Sequence, residues 1–191
     1  MDHDLSSFAF NPQEKYNDGK YSIHEIEAGE NNYRRIKCET DGICLVPFDL
    51  NDHGQIHHLY LQKYSDYLNG SDDTCCLHTD MDSEQDSSHY DALVRLAEKE
   101  LGLPDIDVNH IFYLGKVSHT VPFSKDYRCY AIDVSHYSDN QVDGFNPKLS
   151  RSEIDSKSHQ LQKVRFTRIL KGGIADSLAL SCAALLISYM E

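Results

Sequence analysis

The chain has 191 residues, enough for one domain of ordinary size, and its 40% apolar and 10% aromatic content is enough to build a core rather than a disordered chain. Its net charge of −13, from 31 acidic and 18 basic residues, excludes non-specific binding to nucleic acid or to an anionic membrane, since both require a cationic face. The two local exceptions are Arg34, Arg35 and Lys37, and Lys163, Arg165, Arg168 and Lys171, which read as solvated strand faces.

Residues 1–20 are polar and acidic and read as a loose arm, with Asn17-Asp18-Gly19 as a turn; residues 21–191 are expected to form the domain. The arm has no apolar core of the kind a secretory leader carries, and the longest apolar stretch, Leu178 to Met190, is too short to span a bilayer. Most of the six cysteines lie in apolar, strand-like or helical runs, where cysteine acts as a small hydrophobe, and they show no paired framework. A cytoplasmic or other reducing intracellular compartment is the expectation, with no membrane partner.

Ser22 to Ala28 alternates weakly and suggests a strand, and Tyr33 to Phe48 a stronger one ending in the apolar run Gly42-Ile43-Cys44-Leu45-Val46-Pro47-Phe48. Asn51-Asp52-His53-Gly54 then turns the chain into Gln55 to Leu68, which predicts a β-hairpin. His57 and His58, adjacent on that strand, should face opposite ways and not share an ion. Thr74 to Leu77 is a short strand in which Cys75 and Cys76 point to opposite faces, and Asp80 to Ser88 is an acidic loop.

From His89 to Leu101 the period changes. Leu93, Leu96, Ala97 and Leu101 share one helical face, Ser87 or Ser88 can cap the start, and Gly102 and Pro104 stop the helix. Asn109 to Val121 and Tyr127 to Val134 form a second strand couple around Pro122-Phe123-Ser124. Residues 135–161, with Asn146-Pro147, read as a polar insertion. Val164 to Leu170 resumes as a strand, Gly172-Gly173 turns, and Ile174 to Tyr189 closes the chain as a helix. The order implies an α/β (α+β) class: a mixed β-sheet with helices packed on it.

Across residues 22–190 this order resembles the Nudix family. DALVRLAEKELGL resembles its signature helix, GICLVPFDLNDHGQIHHLYLQKYSDYL its opening hairpin, and FYLGKVSHTVPFSKDYRCYAIDV the strand pair that follows. With Gly102 as anchor, Arg95, Ala97, Glu100, Gly102 and Leu103 match the family signature, whereas Leu96, Lys99 and Ser87 stand where it has glutamates and Met81 where it has glycine. The resemblance implies a mixed sheet sandwiched by helices and, in a working enzyme, carboxylates on one helix face holding Mg²⁺ against a diphosphate. Glu98 cannot replace a lost carboxylate, because two residues on a helix turn by about 200°.

Two readings follow. The leading one is a non-catalytic Nudix-fold binding or structural module within a larger assembly, needing no cofactor, with a protein partner or self-association and a nucleotide-like ligand as expected partners. Twelve tyrosines suit interfaces, and residues 1–20 and 135–161 are the docking segments this reading names. The alternative is a divergent hydrolase of a nucleoside diphosphate linked to another moiety, using Mg²⁺ or Mn²⁺. There Glu100 ligates the metal, Arg95 orients that carboxylate, and Asp82 and Glu84, with Asp80, come from the acidic loop; Asp126 or Asp133 would add a later acid. His78, His89 and Asp80 form a further candidate cluster beside the box.

Overall fold

The computed structural model describes residues 13–28, 31–66, 71–103, 106–119, 123–136, 160–171 and 176–190. The expected turns at Pro122 and Gly172-Gly173, the helix stop at Pro104, most of the insertion, and the first part of the arm lie outside these residues. The chain divides into two compact units, Met1–Asp41 with Ser118–Asp126, and Gly42–Val117 with Tyr127–Glu191.

In the first unit, Gln13–Asn17 of the expected arm is strand β1, paired antiparallel with β2 (Tyr21–Ala28), which pairs in turn with β3 (Asn31–Cys38). Asn17-Asp18-Gly19 makes the turn: the Asp18 carboxylate accepts from the amides of Lys20 and Tyr21, and Gly19 takes φ +85°, which a side chain would disfavour. The long strand expected from Tyr33 to Phe48 is in fact two, because Glu39 to Asp41 interrupts it.

The second unit contains β4 (Gly42–Leu50), β5 (Ile56–Asp66), β6 (Ser71–Cys75), β7 (Leu77–Asp80), α1 (His89–Leu101), most of β8 (Ile111–His119) and of β9 (Phe123–Asp133), whose residues 118–119 and 123–126 belong to the first unit, β10 (Gln160–Arg165), α2 (Phe166–Leu170) and α3 (Ser177–Met190). β4 is the centre. It runs parallel to β9, antiparallel to β5 through the expected hairpin, and antiparallel to β7, while β10 pairs antiparallel with β5. The strand expected at Val164–Leu170 stops at Arg165 and turns helical; Phe166 and Ile169 are buried, a helical i, i+3 spacing that alternation cannot supply. The second strand of the expected couple begins at Phe123 rather than at Tyr127.

Side-chain alternation builds two cores on the two faces of this sheet. Cys44, Val46 and Phe48 of β4 join Cys129 and Ala131 of β9 and Leu59 and Leu61 of β5 under α2 and α3. Ile43 and Leu45, with Tyr60, Ile132 and Val134, point the other way and pack with Leu93, Leu96, Ala97 and Leu101 of α1. The result is a mixed sheet between helices, as expected. Among the described residues no helix is long and apolar enough to cross a membrane.

The caps of α1 follow from sequence. Of the two serines, Ser88 is the N-cap: its hydroxyl accepts from the Asp91 amide, and the Asp91 carboxylate accepts from the Ser88 amide at 2.9 Å. Gly102 ends the helix at φ 69°, left-handed backbone that glycine adopts most readily. Ser88→Ala is expected to lower stability by about 1 kcal/mol in chemical denaturation, because the orphan Asp91 amide loses its acceptor.

Candidate functional site

The box region consists of the loop 81–88 and helix α1. Arg95, matched by resemblance, points back into the loop rather than toward Glu100. Its Nε and Nη2 donate to Asp86 at 3.1 and 2.6 Å, Nη2 also donates to the Asp80 carbonyl at 3.1 Å, and Nη1 donates to Thr79 Oγ1 at 3.4 Å. The Asp86 side chain is 1% exposed and also accepts from the Asp82 amide at 2.8 Å. The Arg95 hydrogen bonds hold the Asp86 carboxyl below the usual carboxylate value, and Asp86 in turn raises that of Arg95. Asp86 is the residue that sequence reasoning missed. Its signal was its place next to Ser87, where the resemblance puts a glutamate: the carboxylate is present one residue early.

The other nominated residues are separately engaged. Asp82 accepts from the Glu84 amide at 3.0 Å and from Gln85 Nε2 at 2.7 Å, so its carboxylate closes the turn of the loop. Glu84 is exposed. Glu100 is mostly buried and ion-paired with Lys99 at 2.9 Å, so the lysine standing at a lost glutamate neutralises the matched one. Leu96 is 2% exposed and belongs to the core under α1. Asp82, Glu84 and Glu100 are not among the described groups of three whose ligand atoms converge within 4.8 Å, and neither are His78, His89 and Asp80. Of the later acids, Asp126 accepts from the Ser118 hydroxyl at 2.6 Å, and Asp133 is buried, caps the Ser135 amide at 2.9 Å and lies beside His110 and His136.

The expectation that His57 and His58 face apart is wrong. Their ring centroids are 3.8 Å apart, and both reach Asp49. The cause is a β-bulge. Asp49 pairs with His58 and Leu50 with Ile56, leaving His57 as an extra residue that breaks the alternation. Asp49 is nevertheless occupied: it accepts from the His58 amide and Nδ1 at 2.9 and 3.0 Å, from the Tyr60 hydroxyl at 3.1 Å and from Lys163 Nζ at 3.1 Å. Burial works against its charge, but these donors hold its carboxyl below the usual value. The ammonium of Lys163 takes the place a bound cation would take.

Lys163 also borders a depression of about 420 Å³ lined by Arg165, Thr167, Arg168 and Lys171, where the strand β10 gives way to α2. The second cationic run is therefore not an even strand face; the helical turn gathers it around one hollow. Among the described residues Arg165, Arg168 and Lys171 have no carboxylate partner.

The sequence matches no family model and no curated protein. Solved structures do resemble it. An ADP compounds hydrolase aligns over 94% of this chain and 91% of its own, at 15% identity and a TM-score of 0.61. NrtR from Shewanella oneidensis aligns over 79% of this chain and 63% of its own, at 14% identity and a TM-score of 0.56. RenU, a Nudix hydrolase from M. Smegmatis, aligns more loosely, over 84% and 89%, at 11% identity and a TM-score of 0.46. The class of the fold is thereby set: this chain has a Nudix fold. At these identities the likeness speaks for the fold and for nothing narrower.

Proposed function

We propose that this chain is a non-catalytic Nudix-fold module that binds rather than hydrolyses. The observation that carries this reading is the fate of the box carboxylates. Leu96 lies in the core, Lys99 pairs with Glu100, and Arg95 and Asp86 satisfy one another inside the loop. Mg²⁺ and Mn²⁺ prefer several hard oxygen ligands converging on one point, and a single neutralised glutamate is a poor substitute. The residues present do not fit a catalytic magnesium site.

Two features support binding. The hollow at Lys163, Arg165, Arg168 and Lys171 concentrates positive charge in a strongly acidic chain and suits the phosphates of a nucleotide-like ligand. NrtR has been crystallised with a 27mer DNA, so a neighbouring fold works within a macromolecular complex; here the net charge favours a protein partner instead.

The test is a hydrolysis panel with Mg²⁺ and Mn²⁺ over ADP-ribose, a dinucleoside polyphosphate, a nucleoside triphosphate and NADH, with melting curves recorded alongside. No metal-dependent turnover is expected, and Glu100→Gln should behave as wild type. ADP-ribose should raise the melting temperature of wild type but not of the double variant Arg165→Ser, Arg168→Ser. Turnover that vanishes in Glu100→Gln would overturn the reading in favour of the divergent hydrolase, with Asp82 and Glu84 as the next ligands to test.

A further inference from the structure

Among the described residues, three groups of metal-ligating side chains converge, and they differ in what surrounds them. Cys44, Cys129 and Cys182 bring their Sγ atoms within 4.8 Å of one another, but all three are 0% exposed, sealed in the core between the sheet and α3. In the group of Asp49, His57 and His58, the carboxylate is held by the Lys163 ammonium. His110, Asp133 and His136 form the third group, and their ligand atoms likewise lie within 4.8 Å of one another. His110 ends the 3₁₀ turn Val108–His110 that leads into β8, Asp133 is the last residue of β9, and His136 lies in the turn that follows. β8 pairs with β9, so the entry of the first strand lies by the exit of the second.

This third group stands apart from the box. On β4, Gly42 pairs with Asp80, where the box loop begins, and Phe48 pairs with Asp133. The strand from 42 to 48, at about 3.3 Å per residue, sets those two ends about 20 Å apart. Asp133 is 9% exposed, and its Oδ1 accepts from the Ser135 amide at 2.9 Å. Among the described residues no lysine or arginine pairs with this carboxylate, in contrast to Asp49. Neither histidine is hydrogen-bonded or ion-paired to it, although their ligand nitrogens converge on it. That spacing is the spacing of donors around an ion rather than of a direct bond. The two imidazole rings meet edge to face, with centroids 4.7 Å apart at 86°. A carboxylate withdrawn from water is costly without a balancing positive charge, and one amide does not supply it.

We propose that His110, Asp133 and His136 form a binding site for one divalent transition-metal ion of borderline softness, Zn²⁺ before others. With bonds of about 2.0–2.2 Å, the donors around a tetrahedral zinc stand about 3.3 Å apart. His136 is exposed and the His110 side chain is 28% exposed, so rotation of the two rings closes the remaining distance. Imidazole suits zinc, and two nitrogens among three donors disfavour Mg²⁺ and Ca²⁺, which take oxygen. Asp107 Oδ2 lies 3.6 Å from His110 Nε2 and is placed as the outer carboxylate that orients that ring. Three protein ligands leave the fourth position to water or to a donor atom of a bound molecule. The ion ties the turn before β8 to the exit of β9. It asks nothing of the box, and it stands whether or not the box hydrolyses.

The experiment uses the full chain, stripped of metal with a chelator and held in excess Mg²⁺. Zn²⁺ is titrated by calorimetry and Co²⁺ by absorption spectroscopy. Wild type should bind one Zn²⁺ per chain. Loss of an outer partner alone weakens metal sites about 10–100-fold, so His136→Ala and Asp133→Asn, which each remove a ligand, should weaken binding at least about tenfold. Both should keep the wild-type circular dichroism: His136 is exposed, and asparagine at 133 retains an oxygen for the Ser135 amide. His57→Ala should bind as wild type does, and the cobalt form should show no thiolate-to-cobalt charge transfer. Wild type that binds no zinc overturns the proposal. So does binding that survives both His136→Ala and Asp133→Asn, binding that His57→Ala abolishes, or a charge-transfer band that puts the ion on the cysteines. Should Asp133→Asn fail to fold, His136→Ala decides.

Discussion

Leu96→Glu, which restores a family glutamate at its matched position, is expected to damage this protein rather than awaken it. Leu96 is 2% exposed and packs with Leu93, Ala97, Leu101, Ile43 and Leu45. Removing its burial costs about 2–3 kcal/mol, and placing a carboxylate there without a partner adds about as much again, for a total of about 4–6 kcal/mol at neutral pH. The sign of the pH dependence is diagnostic. Burial raises the folded-state pKa of the new carboxyl above its unfolded value of about 4.3. The deficit is therefore smallest below pH 4 or so, where the group is protonated in both states, and grows as pH rises through the folded pKa. Urea titrations at acid and neutral pH measure it directly. A variant as stable as wild type at neutral pH, or one that gains Mg²⁺-dependent turnover, would show that position 96 looks into a metal cleft and not into the core.

Asp86→Ala should rank next. It removes the acceptor for two guanidinium nitrogens and for the Asp82 amide, and it leaves the Arg95 charge without its carboxylate. Breaking a buried pair from one side costs about 3–5 kcal/mol, but the Arg95 side chain is 32% exposed and can turn toward solvent, so about 2–3 kcal/mol is expected. Because Arg95 lowers the Asp86 carboxyl in the folded state, the stability it contributes is complete above the unfolded value of about 3.9 and is lost as pH falls through the lower folded pKa. Wild type and Asp86→Ala should therefore converge in stability as the solution is acidified below pH 4 or so. Equal stability of the two at neutral pH would remove the pair from the architecture of the loop.

The elements that could be read from sequence are those whose signal is local. Helix α1 announced itself through the spacing of Leu93, Leu96, Ala97 and Leu101 and through its caps, and it lies within the predicted residues. The apolar run of β4 likewise reads as a strand buried on both sides. What was illegible depends on pairing. Nothing before His57 marks it as a bulge residue; that follows only from the register of β5 against β4. The hand-over from β10 to α2 at Phe166 was hidden because a five-residue helix is too short for its period to show. The gathering of Cys44, Cys129 and Cys182 needs the β4–β9 register and the placement of α3, both set by contacts between residues far apart in sequence. At the box the resemblance paired Arg95 with Glu100, whereas in the structure Arg95 donates to Asp86, which packing brings to it.

Strand β4 has neighbours on both edges and a core on each face, with Ile43 and Leu45 turned one way and Cys44, Val46 and Phe48 the other. A backbone so confined has no slack to give. A bulkier residue at 45 that pushes the strand away from α1 drives Cys44 and Val46 into α3, so the two helical layers share one spatial tolerance. Substitutions beneath α1 and beneath α3 are therefore bound to be epistatic across the sheet, and sequence drift in this chain must alter its two cores in step rather than one at a time.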